Sequence, residues 1–205
     1  MNADGWYRRA PFISSLVAYP TTQTMSSGLS LVSELERLAS ALGTDASESA
    51  NLSLAGIAER IAKSLSVKPN EVAILNVSHR WRHLHFLVPE ALKNVGFIPL
   101  SSTSALAART ARESRPEIVN NFSGVRHASV FEGIKVGTDP AQAIQKIISA
   151  PILADGRVVG VIQISRKGVA ALHSGPDFTP EDLGKVLALC KPLGKLLQHL
   201  AAEKE

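Results

Sequence analysis

Two helices are predicted in the first third of the chain, because apolar residues recur there every three or four positions. The apolar positions of the first helix are Leu31, Leu35, Leu38 and Leu42. Those of the second helix, for which Ser53 is the expected N-cap, are Leu54, Ile57, Ile61 and Leu65. Pro69 prevents the second helix from continuing much further.

The centre of the chain is typical of antiparallel strands. Residues 71–77 are nearly all apolar, as in a strand covered on both faces, whereas residues 82–88 alternate. Short strands are predicted at 97–100 and 117–120, separated by an alanine-rich helix over 104–114. Within that helix, we expect Arg109 to pair with Glu113 four residues later.

The clearest local signal is a β-hairpin over residues 148–168, centred on Asp155-Gly156. This dipeptide favours the tight turn in which both central residues have positive φ. Pro151 cannot donate a ladder hydrogen bond, so it is expected at a strand start, an edge or a bulge. Gly160 would let another element approach the sheet closely. Before the hairpin, Asp139-Pro140 predicts a helical turn or two ending at Ile144.

A well-capped helix is predicted near the end of the chain. Thr179 is the expected N-cap, Pro180 the first helical residue and Asp182 the return partner of the cap. Pro192 should kink or divide this helix. Its apolar stripe has coiled-coil spacing, and we expect a homodimer through this stripe and the N-terminal helices. The expected contact residues on this helix are Leu193, Leu197 and Leu200.

Composition narrows the class of protein. Of 205 residues, 45% are hydrophobic and 20% are charged, which is typical of a globular chain. A single cysteine excludes an internal disulfide or a CxxC site. The net charge of +4 is scattered rather than clustered, so no nucleic-acid partner is predicted. No apolar run is long enough for a membrane helix, and we expect a cytoplasmic protein with no membrane partner.

Three segments are predicted along the chain. Residues 1–27 are expected to be a disordered tail, residues 28–51 an N-terminal helix and linker, and residues 52–203 a domain ending in a long dimerisation helix.

The final third resembles a GAF domain, a small-molecule sensory fold related to PAS domains. Ser149-Ala150-Pro151-Ile152 enters the hairpin, Val159-Gly160-Val161-Ile162 leaves it, and Phe178-Thr179-Pro180-Glu181-Asp182 opens the last helix. The resemblance implies an α+β fold with a central antiparallel sheet of about six strands. It also implies terminal helices on one face, and on the other a ligand pocket walled by short helices and loops.

The chain departs from several branches of that family. The signature associated with cyclic-nucleotide-binding members is not apparent, and no effector domain resembling those of cyclases or phosphodiesterases is seen. The methionine sulfoxide reductase branch needs several cysteines, whereas this chain has one. That residue, Cys190, lies on the apolar stripe of the last helix, where a buried, inert thiol is expected.

Two groups of residues are candidate ligand contacts. Ser101, Ser102 and Thr103 offer hydroxyls and amides near a helix N-terminus, although ordinary capping would use the same groups. The second group combines amide, guanidinium, imidazole and aromatic side chains in a loop that, in the family's layout, walls the pocket. Its members are Asn121, Phe122, Arg126, His127 and Phe131. A surface loop with its aromatic residues tucked against the sheet is the alternative.

No cofactor, metal or catalytic set is predicted. The segment 79–85 contains three histidines, but no carboxylate or cysteine lies near in sequence to complete a metal site. No Ser/His/Asp set or phosphate-binding loop occurs at motif spacing. The hypothesis is therefore a non-enzymatic, stand-alone sensory domain that binds an unidentified small polar molecule. The alternative is a ligand-free scaffold that only dimerises or docks partners.

Overall fold

The computed structural model describes residues 31–37, 39, 54–80, 82–94, 96–122 and 143–202. The predicted tail over 1–27 and most of the predicted linker lie outside these ranges, as do Leu38 and Leu42. The division into three segments therefore stays a prediction.

Six strands form one sheet in which every neighbouring pair is antiparallel. The strands are β1 Val72–Ser78, β2 His83–Val88, β3 Phe97–Pro99, β4 Glu117–Val119, β5 Ile144–Ala154 and β6 Arg157–Lys167. Their spatial order is β3-β2-β1-β6-β5-β4, so the two short strands form the edges. The predicted fold class, α+β around a six-stranded antiparallel sheet, is confirmed.

The helices lie on both faces of the sheet. Residues 31–37 are helical (α1), followed by α2 Leu54–Ser64, α3 Leu106–Glu113 and α4 Pro180–Ala202. The apolar sides of α1, α2 and α4 share one core with the sheet residues Ile74, Ile148 and Ile162. The alanines of α3 belong to a second core on the opposite face. The predicted placement of the terminal helices on one face is therefore confirmed.

The predicted hairpin is present between β5 and β6. Asp155 and Gly156 have φ angles of 49° and 73°, as the tight turn requires. Pro151 lies in β5 beyond the stretch that pairs with β4, so that part of β5 has a described partner only on the β6 side. This is the edge position predicted for a residue without a backbone N–H.

The N-terminus of α4 is capped as predicted. Thr179 Oγ1 accepts a hydrogen bond from Asp182 N at 3.2 Å, and Asp182 Oδ2 accepts one from Thr179 N at 3.0 Å. The helix nevertheless runs unbroken through Pro192, so a division there, one of the two predicted effects, is wrong, whereas a kink stays a prediction. Pro192 is buried in the packed part of the helix, and tertiary packing of the flanking turns offsets the one hydrogen bond that proline removes.

Two further expectations are corrected. Ile144 does not end a helical turn but begins β5, because pairing with Lys167 of β6 overrides the local helix signal; Asp139 and Pro140 lie outside the described residues. Leu193 and Leu197, expected at a dimer interface, are 0% and 2% exposed within the single chain and belong to its own core. The third expected contact residue, Leu200, has a side chain that the structure does not describe. Dimerisation itself stays a prediction.

Candidate functional site

The face of the sheet covered by α3 has an apolar part. Ala105, Ala107 and Ala108 present only methyl groups, so α3 approaches the sheet closely. Beneath and beside them lie the buried sheet residues Leu75, Leu84, Phe86, Ile98 and Val161. Each of these five side chains is at most 1% exposed. This part of the face is filled by the chain's own side chains.

A polar row crosses the same face toward β4. Glu117 of β4 lies directly opposite Ser149 of β5, and Ser149 lies directly opposite Gln163 of β6. Directly opposed residues of antiparallel strands share a face, so these three side chains lie side by side. Ala73 of β1 is the next position of the row. The residues on either side of Gln163 in β6, Ile162 and Ile164, point to the other face of the sheet.

Buried hydrogen bonds link this row to α3. The hydroxyls of Thr110 and Ser149 are 2.8 Å apart, and Gln163 Nε2 donates to Ser149 Oγ at 3.2 Å. Thr110, Ser149 and Gln163 are 2%, 0% and 3% exposed. Gln163 Oε1 is buried and has no hydrogen-bond partner in the described part of the chain. An unmatched buried acceptor is rare in folded proteins and needs an explanation.

Arg109 meets the β4 end of the row. Its Nη2 donates to Glu117 Oε2 at 2.7 Å, joining α3 to β4. The expected Arg109–Glu113 pair is therefore wrong, and Glu113 instead pairs with Arg115 at 3.5 Å. Arg109 Nε is buried, and no acceptor for it is found among the described residues. The row thus combines one open acceptor, on Gln163, with one open donor, on Arg109.

The predicted serine cluster is used locally. Ser102 Oγ accepts a hydrogen bond from Ala105 N at 3.1 Å, and the Ser102 carbonyl accepts one from Arg112 Nη1 at 2.6 Å. These are local loop contacts, and the N-cap residue of α3, Ala105, makes no side-chain capping hydrogen bond. Ser101 and Thr103 are exposed. Ligand contact by these three residues stays a prediction.

The predicted loop site is described only at its start. Asn121 is exposed, and Phe122 is half-buried with its N–H donating to Gln145 O at 2.9 Å. Arg126, His127 and Phe131 lie outside the described residues. The preceding residue, Asn120, binds the backbone of Phe178 instead: its Nδ2 donates to Phe178 O at 3.0 Å, and its Oδ1 accepts from Phe178 N at 2.9 Å.

Other buried charged or titratable groups have structural roles. Glu71 accepts backbone hydrogen bonds from Lys167 and Lys68, each at 2.7 Å, which fastens the end of β6. Burial lowers the pKa of Lys167, and the nearby Glu71 carboxylate opposes that shift. Burial raises the pKa of the Cys190 thiol to about 12. That thiol lies in the core on the α4 side of the sheet, away from the polar row.

His83 and His85 of the histidine-rich segment lie on β2, beside the edge strand β3. The His83 and His85 rings are 6.2 Å apart, and His83 packs against Phe97. Within the described ranges, no group of three or more histidine, cysteine, aspartate or glutamate side chains could hold a metal ion. Trp81, at the turn, lies outside those ranges.

None of the helices described has both the length and the apolar character needed to cross a bilayer.

Sequence reasoning missed the polar row because it assigned no faces to the two strands of the hairpin. Ser149 and Gln163 are polar residues within the β-rich stretches 144–154 and 157–167. Such interruptions, on the face opposite the isoleucines, are the signal that could have been used.

Comparisons with known proteins agree with this architecture. The model of the GAF domain family matches residues 34–197, which is more than half of the chain. A search of curated protein sequences finds no match.

Solved structures share the fold at low sequence identity. The GAF domain of the phosphoenolpyruvate-protein phosphotransferase from Acinetobacter is 14% identical with a TM-score of 0.61, covering 90% of this chain and 98% of that one. The corresponding domain from Coxiella burnetii is 10% identical with a TM-score of 0.59, covering 89% and 99%. The free methionine-R-sulfoxide reductase from Neisseria meningitidis, solved with its substrate, is 16% identical with a TM-score of 0.57, covering 89% and 95%. By fold and by family model, this chain belongs to the GAF domain family.

Proposed function

We propose that the protein is a non-enzymatic sensory domain whose small polar ligand binds on the α3-covered face, over the row of Ser149 and Gln163. The observation that carries the proposal is the open acceptor Gln163 Oε1, on a side chain only 3% exposed. Leaving a buried polar atom unpaired costs about 1–3 kcal/mol, and a ligand that donates to Gln163 would recover this free energy.

Strands β5 and β6 could transmit ligand binding to the terminal helices. On their other face, β5 and β6 carry isoleucines that share a core with Leu193 and Leu197 of α4. A ligand that changes the packing of β5 against β6 would therefore favour one position of α4 over another. We propose that this change is read by a partner, or by a second copy of the chain, in the cytoplasm. The dimer contact would then use the outward side of α4 and not Leu193 or Leu197.

The position of the thiol supports a binding role. The reductase structure from Neisseria meningitidis shows that this fold also occurs in an enzyme. In this chain the sole cysteine, Cys190, is buried on the other face of the sheet, and burial raises its pKa to about 12. A neutral thiol at that place supplies no nucleophile to the polar row.

A ligand-free scaffold is the second candidate, and one observation favours it. The apolar part of the α3-covered face is already filled, with Leu75, Leu84 and Val161 each fully buried. In this second candidate, the whole α3-covered face is part of the hydrophobic core and binds no ligand. The only function of the protein is then to dock partners. Gln163 Oε1 would then be satisfied by an ordered water.

Thermal melting separates the two candidates. The wild type and the Gln163→Leu variant are melted against a panel of amino acids, nucleosides, nucleotides and 2-oxo acids. A ligand at 100-fold excess over its Kd stabilises the folded state by about 2.7 kcal/mol. We expect a hit with the wild type that Gln163→Leu loses. Gln198→Leu, which changes a half-buried residue bound to Asp155, is the matched control and should keep the response. A wild type that responds to nothing supports the scaffold.

A further inference from the structure

We infer that the edge strand β4 transmits ligand binding from α3 to the start of α4, through one polar contact at each of its ends. This inference rests on the proposed function, because it names how binding on the α3-covered face reaches the helix on the other face. The contacts are the Arg109–Glu117 ion pair and the hydrogen bonds between Asn120 and Phe178. Glu117 is the first residue of β4, and Asn120 directly follows its last.

Strand β4 can contact both faces because successive side chains of a strand alternate. Residues 117 and 120 are three positions apart, so their side chains belong to opposite faces. Glu117 lies opposite Ser149, on the α3 side. Ile118 packs against the core on the α4 side, and Asn120 binds Phe178, a member of that core. One short segment thus joins a helix above the sheet to a helix below it.

The contact on the α3 side is an ion pair. Arg109 Nη2 donates to Glu117 Oε2 at 2.7 Å, and the two side chains are 33% and 30% exposed. The next residue of α3, Thr110, has its hydroxyl 2.8 Å from that of Ser149 in the polar row. Because Arg109 and Thr110 are consecutive, a ligand over the row that displaces α3 also displaces Glu117.

The contact on the α4 side holds a backbone unit. Asn120 Nδ2 donates to Phe178 O at 3.0 Å, and Asn120 Oδ1 accepts from Phe178 N at 2.9 Å. The Phe178 side chain is buried, and the guanidinium carbon of Arg166 lies 4.7 Å from its ring centroid. Thr179, which caps α4, is the next residue. A movement of Asn120 therefore reaches the cap of α4.

The position of β4 in the sheet allows it to move. It has three residues, lies at an edge of the described sheet and pairs there only with β5. All three residues are half-buried. Short segments with few buried contacts open at a lower free energy than central strands. Strand β4 can therefore shift while β1, β5 and β6 keep their pairing.

A double-mutant cycle, followed by amide hydrogen exchange on the full chain, tests the inference. Glu117→Val removes the ion pair and keeps a strand-favouring residue in β4. The readout is the amide of Leu183, which donates to Thr179 O at 3.1 Å in the first turn of α4. The amide of Leu65 donates to Ile61 O at the same distance and is the reference for a change in global stability.

We expect Glu117→Val to speed exchange at Leu183 about threefold relative to Leu65, the effect of losing a half-exposed ion pair. Arg109→Met, which removes the same pair from the α3 side, should act alike. In the Asn120→Ala background, Glu117→Val should change the Leu183 exchange no further, because the connection to Phe178 is already broken.

The control is the other ion pair of α3. Glu113→Ala removes the exposed contact with Arg115, which does not involve β4, and should leave exchange at Leu183 unchanged.

Three results would each overturn the inference. They are equal changes at Leu183 and Leu65, no change at Leu183 in either Glu117→Val or Arg109→Met, and a full effect of Glu117→Val in the Asn120→Ala background. The cycle uses no ligand, so its failure leaves the melting panel free to support the proposed function, with β5 and β6 as the route to α4. A positive cycle with a silent panel would count against the proposed function and not against the connection through β4.

Discussion

Gly194 of α4 lies directly against the backbone carbonyl of Leu153 in β5. A Cβ at residue 194 would overlap that oxygen, so glycine is what allows the helix to rest on the strand. Gly160 of β6 is also tightly packed, because a Cβ there would lie 2.6 Å from Leu75 O of β1 and 2.7 Å from Leu197 Cδ1 of α4. Gly194 therefore sets how closely α4 approaches the sheet, and Gly160 leaves room for the Leu197 side chain.

Alanine at Gly194 should move or loosen α4. Because the obstructing atom is backbone, the helix must shift, and we expect Gly194→Ala to lower the free energy of unfolding by about 2–3 kcal/mol. Gly184→Ala is the matched control on the same helix: nothing lies within 4 Å of its Cβ position, and the change should stabilise by about 1 kcal/mol. Urea unfolding measures both. Equal effects of the two variants would contradict the described packing.

Asn120 should be important for stability despite lying outside regular structure. Its two hydrogen bonds to the Phe178 backbone join the end of β4 to the start of α4. Asn120→Ala removes both, and we expect a loss of about 2–3 kcal/mol together with faster amide exchange at Phe178. The exposed neighbour Asn121 is the control, and Asn121→Ala should change stability by less than about 0.5 kcal/mol. If both variants behave alike, these hydrogen bonds do not hold the helix start.

Cys190 should make stability fall at high pH. Burial raises its pKa from 9.0 to about 12, so the thiol loses its proton more readily in the unfolded chain than in the folded one. The contribution of the protonated thiol to the free energy of unfolding is complete below pH 9. It is lost as pH rises toward 12, by up to about 1.4 kcal/mol per pH unit. Unfolding free energies of the wild type and Cys190→Ala, measured from pH 8 to 11 and subtracted, isolate this contribution.

The subtraction is needed because Lys167 acts in the opposite direction. Burial lowers its pKa, so the unfolded chain holds the proton more tightly and stability rises with pH up to the usual lysine range. This contribution is common to both proteins and cancels. A difference curve that stays flat above pH 9 would show that the Cys190 thiol is not buried as described.

The proposed homodimer can be tested on the outward side of α4. Leu187 is 40% exposed there, whereas Leu193 and Leu197 face the sheet. We expect sedimentation at micromolar concentration to give twice the mass of one chain, and Leu187→Glu to give a monomer, because a buried, unpaired carboxylate opposes association. Leu172→Glu, at a 93% exposed position outside α4, should leave the mass unchanged. A monomeric wild type would make the dimer prediction wrong.

Most elements of the fold could be predicted because their signals are local. Alternation marked β2, the Asp155-Gly156 dipeptide marked the hairpin turn, and Thr179 with Asp182 marked the start of α4. Predictions failed where a distant partner decided the outcome. Ile144 pairs with Lys167, which the sequence near Asp139 and Pro140 does not reveal.

The candidate site could not be predicted from the turn alone. Counting outward from Asp155-Gly156 places Ser149 opposite Ile162, but β6 carries one extra residue, Val159, between the positions paired with Leu153 and Ile152. This bulge shifts the register by one, and Ser149 therefore lies opposite Gln163. A one-residue shift exchanges the two faces of a strand, so the polar row depends on this bulge.

The lengths of the edge strands have a consequence for self-association through the backbone. Strands β3 and β4 are three residues each, so they offer few free N–H and C=O groups to a strand from another molecule. Where β5 extends past β4, Pro151 removes one of the donors that such an incoming strand would need. The sheet thus resists amyloid-like stacking through its own geometry, and Pro151→Val would weaken that protection without touching the polar row.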